Sequence, residues 1–127
     1  MKAILLDTHT WAWSLTGSVR LSQRAMSAIT GASAIHVSPV SFFEIVQKVR
    51  LGKWPEMAPY VGELPNLLAR QGGRAAPCTP EICLAAAAMV WDHRDPFDRI
   101  IAATAAACGL PLISADTVFD GHVPRVW

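Results

Sequence analysis

The chain lacks an excess of either charge: 11 Lys+Arg face 10 Asp+Glu, leaving a formal net charge of +1 over 127 residues. A near-neutral protein does not hold nucleic acid by a general positive field. Long apolar runs are also missing. The longest, Ile82 to Trp91, is half of the roughly 20 residues a membrane helix needs, so no membrane span is expected. The start, Met1 to Asp7, carries one lysine and a short apolar run stopped by an acid, so no secretory signal is expected. Cysteine is scarce: three residues, Cys78, Cys83 and Cys108, cannot pair completely, and none has CxxC or Cys/His zinc spacing. The expectation is three buried free thiols in a reducing cytoplasm. Charged residues make up only 17% and hydrophobic ones 52%, which excludes wholesale disorder. With no repeat and no linker, residues 1–127 read as one domain.

The punctuation outlines an α/β architecture. Lys2 to Leu6 has no alternation and suits a strand buried on both faces. Ser22 opens a helix that Gly31 closes, and Ala34-Ile35-His36-Val37 reads as a second buried strand. Ser38-Pro39 starts a helix ending at Gly52. Pro55, Pro59 and Pro65 break the next stretch into short helices, and Ala75-Ala76 suggests a small edge strand. Thr79-Pro80-Glu81 and Asp95-Pro96 are helix starts, the second helix running through Cys108 to Gly109. Leu110 to Ile113 and Val123 to Val126 are the last strands. Alternating strands and helices imply a parallel sheet covered on both faces.

In such sheets the functional crevice lies beyond the carboxyl ends of the strands. Asp7 directly follows the first strand and Asp116 follows the strand ending at Ile113. Glu44 and Asp98 lie on helices that can reach the same edge. Four converging carboxylates repel one another. Cations relieve that repulsion, and an all-oxygen donor set suits Mg²⁺ or Mn²⁺ rather than zinc. Each acid also has a purely structural reading. Ser41 and Glu44 fit a capping box, and Glu44 with Lys48 an i,i+4 pair. Asp95 fits an N-cap with Asp98 as its box partner, while Asp7 and Asp116 fit turn caps.

These residues match a known pattern. Leu5-Leu6-Asp7-Thr8-His9 and Ser41-Phe42-Phe43-Glu44-Ile45 resemble the first two acidic motifs of PIN-domain ribonucleases. His93 to Ala103 resembles the third, in the form common among VapC-type toxins of toxin–antitoxin pairs, and Leu112 to Asp116 with Phe119 is similar to the fourth. The resemblance spans nearly the whole chain. It implies a PIN-like α/β/α sandwich with a central parallel sheet, and Mg²⁺-dependent endoribonuclease activity (Mn²⁺ as substitute). It also implies a cognate antitoxin and a homodimer. Asp7, Glu44, Asp98 and Asp116 match the metal-binding acids, and Ser114 a small hydroxyl that orients the site. Asp95 and Thr8 are supporting residues. The chain departs from many relatives at Thr117 and Val118, where no acid follows Asp116 and Asp120 is offset.

Carboxylate-held cations lower the pKa of a water and offset charge building on a phosphate, so cleavage leaving a 5′ phosphate needs no protein nucleophile. His9 and His93 are then orienting or structural. Arg20, Arg24, Lys48, Arg50, Lys53 and Arg99 are candidate phosphate contacts. Trp11, Trp13, Trp54 and Trp91 suit either stacking of single-stranded bases or an apolar partner groove, and the favoured reading is partly buried packing that also serves an antitoxin or dimer surface. Two readings from other classes stay open: a non-cleaving RNA- or protein-binding module, and an aspartyl-nucleophile phosphohydrolase. The latter usually needs a second acid where His9 stands.

Overall fold

The computed structural model describes residues 2–127. Five short strands, β1 (Ala3–Leu6), β2 (Ala34–Val37), β3 (Gly73–Ala75), β4 (Leu112–Ile113) and β5 (Arg125–Val126), form one sheet in the order β3-β2-β1-β4-β5. Every pairing is parallel. Six α-helices connect them: α1 (Thr8–Thr16), α2 (Gln23–Thr30), α3 (Pro39–Arg50), α4 (Leu64–Arg70), α5 (Pro80–Ala88) and α6 (Pro96–Cys108). The edge strand expected at Ala75-Ala76 begins two residues earlier and ends at Ala75, and the last strand shrinks to two residues.

The pleat of β1 explains the layers. Successive side chains of a strand point to opposite faces. Ile4 and Leu6 join Trp11, Ala25, Ile45, Leu64 and Leu68, so α1 to α4 cover that face. Leu5 joins Ile101, Ala102, Ala105, Leu112 and Phe119 beneath α6 on the other. Further out, α5 packs on α6 through Ile82, Ala86 and Ala103. A strand at the centre of a sheet covered on both sides has no polar face, and β1 accordingly reads as an unbroken apolar run.

Local chemistry sets the ends. Ser38 caps α3, accepting from the Val40 N–H at 3.3 Å, with Pro39 at the first helical position. The expected capping box at Ser41 and Glu44 is therefore not formed, because the proline starts the helix three residues earlier. Gly109 closes α6 at φ 63°, a conformation in which a Cβ is costly. The cysteines correct another expectation, since Cys78, Cys83 and Cys108 are all exposed. Ile82 and Ala86 supply the buried face of α5, so Cys83 turns outward.

The chain runs outward from β1 through β2 to β3, then returns to place β4 on the other side of β1. The direction of winding reverses there, which opens a crevice at the carboxyl ends of β1, β2 and β4.

Candidate functional site

Asp7 occupies the mouth of that crevice because it is the residue after β1. It is also the N-cap of α1, its Oδ1 accepting from the Thr10 N–H at 2.8 Å. Ser114, directly after β4, donates its hydroxyl to Asp7 Oδ2 and accepts from the Asp116 N–H at 3.0 Å. The register of β1 against β4 pairs Leu6 with Ile113, which carries these next residues side by side. Asp116 in turn caps the short 3-10 turn Thr117–Phe119. The capping readings of Asp7 and Asp116 therefore hold together with their placement at the crevice.

Glu44 lies on the second turn of α3 and is buried. Its Oε2 accepts from Lys48 Nζ at 2.6 Å, while its Oε1 is buried without any hydrogen-bond partner. A buried hydrogen bond of 2.9 Å between the Thr8 and Ser41 hydroxyls ties the start of α1 to α3 and fixes Glu44 relative to Asp7. Asp98 sits in the first turn of α6 and pairs with His93 Nε2 at 2.7 Å. It is thus not the box partner of Asp95, which caps α6 by accepting from the Phe97 and Asp98 N–H groups.

One cavity of about 530 Å³ is lined by Asp7, Glu44, Asp98 and Asp116 together, with Asp95, Thr8, His9, His93, Arg20 and Lys48 in its wall. Burial dominates the electrostatics of its acids. Burial raises the Asp7 carboxyl above its ordinary value, opposed by its hydrogen bonds. Burial, with lesser contributions from Asp95 and Glu44, raises Asp98 to about 6 against the lowering contact of His93. Desolvation and the Lys48 ammonium lower the pKa of His9, whose ring stacks on Trp54 at 4.6 Å. The most compact set of possible ligand atoms, within 4.8 Å of one another, comes from His93, Asp95 and Asp98 at the start of α6.

Of the six candidate phosphate contacts, Arg20 and Lys48 line the cavity. Arg24, Arg50 and Lys53 are exposed away from its wall. Arg99 is a different matter. Its guanidinium donates to the carbonyls of Ala86, Ala87, Met89, Trp91 and His93 at 2.6–3.3 Å, which uses all five of its N–H groups. It caps the carboxyl end of α5 and clamps the segment that delivers His93 to Asp98. The phosphate role expected from its sequence position is overturned, and no local pattern in the sequence signals the clamp. Trp11 also departs from expectation: it is fully buried, its indole N–H donating to Gln71 Oε1 at 2.9 Å. Trp13, Trp54 and Trp91 are half-buried, and Asp120 is held by Arg125 at 2.7 Å.

A parallel α/β sandwich with an acid-lined crevice at its reversal point narrows the class of protein considerably. The PIN domain profile matches residues 4–122, and the chain belongs to that family. It is 30% identical over 123 residues to Ribonuclease VapC22 of Mycobacterium tuberculosis, covering 96% of this chain and 93% of the relative. Two solved structures share the fold. A toxin–antitoxin complex from Klebsiella pneumoniae aligns at TM-score 0.69 and 20% identity, over 98% of this chain and 96% of that one. VapBC2 from Rickettsia felis, bound to a DNA fragment from its promoter, aligns at 0.64 and 13%, over 98% and 97%.

Proposed function

We propose that the chain, a single PIN domain over residues 1–127, is a metal-dependent endoribonuclease and the toxin of a toxin–antitoxin pair. The observation that carries the reading is the convergence of Asp7, Glu44, Asp98 and Asp116 on one cavity, with Glu44 Oε1 buried and unpaired. Asp7 and Glu44 are buried, Asp98 is half-buried and Asp116 is exposed, and an orphaned carboxylate oxygen on buried Glu44 is costly unless a cation completes it. The donors are oxygens, so the residues fit Mg²⁺, with Mn²⁺ as substitute. The four acids would hold it, and when bound it supplies water activation and charge stabilisation at a phosphate.

The remaining work belongs to the side chains. Ser114 and the Thr10 N–H fix both oxygens of Asp7, and the Thr8–Ser41 bridge supports Glu44. His93, held by the Arg99 clamp, orients Asp98. Arg20 and Lys48 offer cationic contacts to an RNA backbone at the cavity wall. The 30% identity to a ribonuclease supports RNA as the substrate, and likeness to toxin–antitoxin complexes supports an antitoxin partner. A cytoplasmic homodimer completes the proposal. The aspartyl-nucleophile alternative is disfavoured because the second acid such enzymes usually need two residues after the first is His9 here. The test is partner-free protein with total RNA, in Mg²⁺ or in chelator, with cut ends mapped. Cleavage in Mg²⁺ alone that leaves 5′ phosphates is expected. Intact RNA retained on the protein in Mg²⁺ would favour a binding module instead.

A further inference from the structure

Cys78 and Cys83 stand on either side of the first turn of α5. Thr79 is the N-cap, with extended backbone (φ −83°, ψ 163°) and a hydroxyl that accepts from the Ile82 N–H at 3.2 Å. Pro80 takes the first helical position, so Cys78 is the residue before the cap and Cys83 the fourth residue of the helix. Side chains at those two positions meet across a capped helix start, where other helices place a hydrophobic staple. The Cys83 N–H donates to the Thr79 carbonyl at 3.1 Å, which closes the turn between them. Both thiols are exposed. Burial and then the contact with Cys83 raise the pKa of Cys78, as two neighbouring thiols should. Neither sulfur belongs to the buried face of α5, so the pair is free to react without disturbing the core. Cys108 is exposed as well, but it is the last residue of α6.

We propose that Cys78 and Cys83 form a modification site, a dithiol that small-molecule disulfides convert to an intramolecular disulfide and thiols reopen. The thiolate of one cysteine attacks the small disulfide, bonds to one of its sulfurs and expels the other as a thiolate. The second cysteine's thiolate then attacks the protein sulfur of that mixed disulfide, forms the Cys78–Cys83 bond and expels the second small thiolate. Two protein thiols are oxidised, one small disulfide is reduced to two thiols, and the two protons pass to the released thiolates. The second attack is intramolecular, so the pair should close at oxidant levels that leave Cys108 unmodified.

The experiment titrates the whole folded protein with oxidised glutathione, alkylates the remaining thiols and maps tryptic peptides. Cleavage after Arg74 and Arg94 keeps both cysteines on peptide 75–94 and leaves Cys108 on peptide 100–125. Peptide 75–94 is expected to lose both alkylation sites without gaining glutathione, at about tenfold less oxidant than Cys108 needs. Reduced thiol should restore it. In Cys83→Ser or Cys78→Ser the remaining cysteine should instead keep its glutathione. Two glutathiones on the wild-type peptide would overturn the proposal. So would a cross-link between two chains, or a pair that stays free while Cys108 reacts.

Discussion

Exchanging Asp98 for asparagine removes one charge from the acid cluster while keeping the side chain's size. In the folded chain burial raises this carboxyl from 3.8 to about 6. An acid whose pKa rises on folding stabilises the fold at pH below the unfolded value, and that contribution is lost as pH climbs through the folded value. At pH 7.5 the ionised Asp98 therefore costs the metal-free protein free energy that asparagine does not. The full displacement corresponds to about 3 kcal/mol. Because 20% of the side chain is exposed, solvent screening reduces the expectation to about 1–2 kcal/mol. For a chain this long that is about 3–8 °C in Tm. The assay is a pair of thermal melts, wild type and Asp98→Asn, in chelator from pH 4 to pH 8. Taking the difference between the two proteins cancels His9, whose lowered pKa acts in the opposite direction. Asp98→Asn should melt higher at pH 7.5, with the gap closing towards pH 4. A gap of the same size at every pH, or a wild type that melts higher at pH 7.5, would refute the burial argument.

Three stability predictions concern the parts that hold the site. Arg99→Lys leaves at least two of the five clamped carbonyls without a donor and should cost about 3 kcal/mol in chemical denaturation; a loss under about 1 kcal/mol would contradict the clamp. Thr8→Val strands the buried Ser41 hydroxyl and should cost about 1–2 kcal/mol by the same assay, whereas Ser41→Ala made in addition should add little. Gly109→Ala puts a Cβ on a residue at φ 63° and should cost about 1 kcal/mol, so an unchanged denaturation midpoint would count against the left-handed cap.

The sheet was legible because β1 is apolar throughout and because proline and glycine mark most helix ends. The four acids were legible for a related reason. A residue directly after a buried parallel strand stands at the crevice by topology alone, as Asp7 does, and Asp116 follows two residues beyond Ser114. What stayed hidden was long-range or depended on competition. Ser38 and Ser41 both satisfy capping chemistry, and Pro39 decides between them by fixing the first helical residue. Arg99 follows an acid of the site and reads as a phosphate contact, yet its side chain reaches back to carbonyls 6 to 13 residues earlier. The cysteines read as core because their neighbours are apolar, but Ile82 and Ala86 had already filled the inner face of α5.

The most direct test of the central claim is the single-turnover rate of RNA cleavage in Mg²⁺ by wild type, Asp7→Asn and Glu44→Gln, with circular dichroism confirming each fold. Asparagine preserves the cap to the Thr10 N–H, and glutamine preserves the bulk beside Lys48. Both variants should cleave at least about a hundredfold more slowly while remaining folded, because each loses a charged donor to the cation. An undiminished rate in either variant would contradict a cleavage site built from these carboxylates.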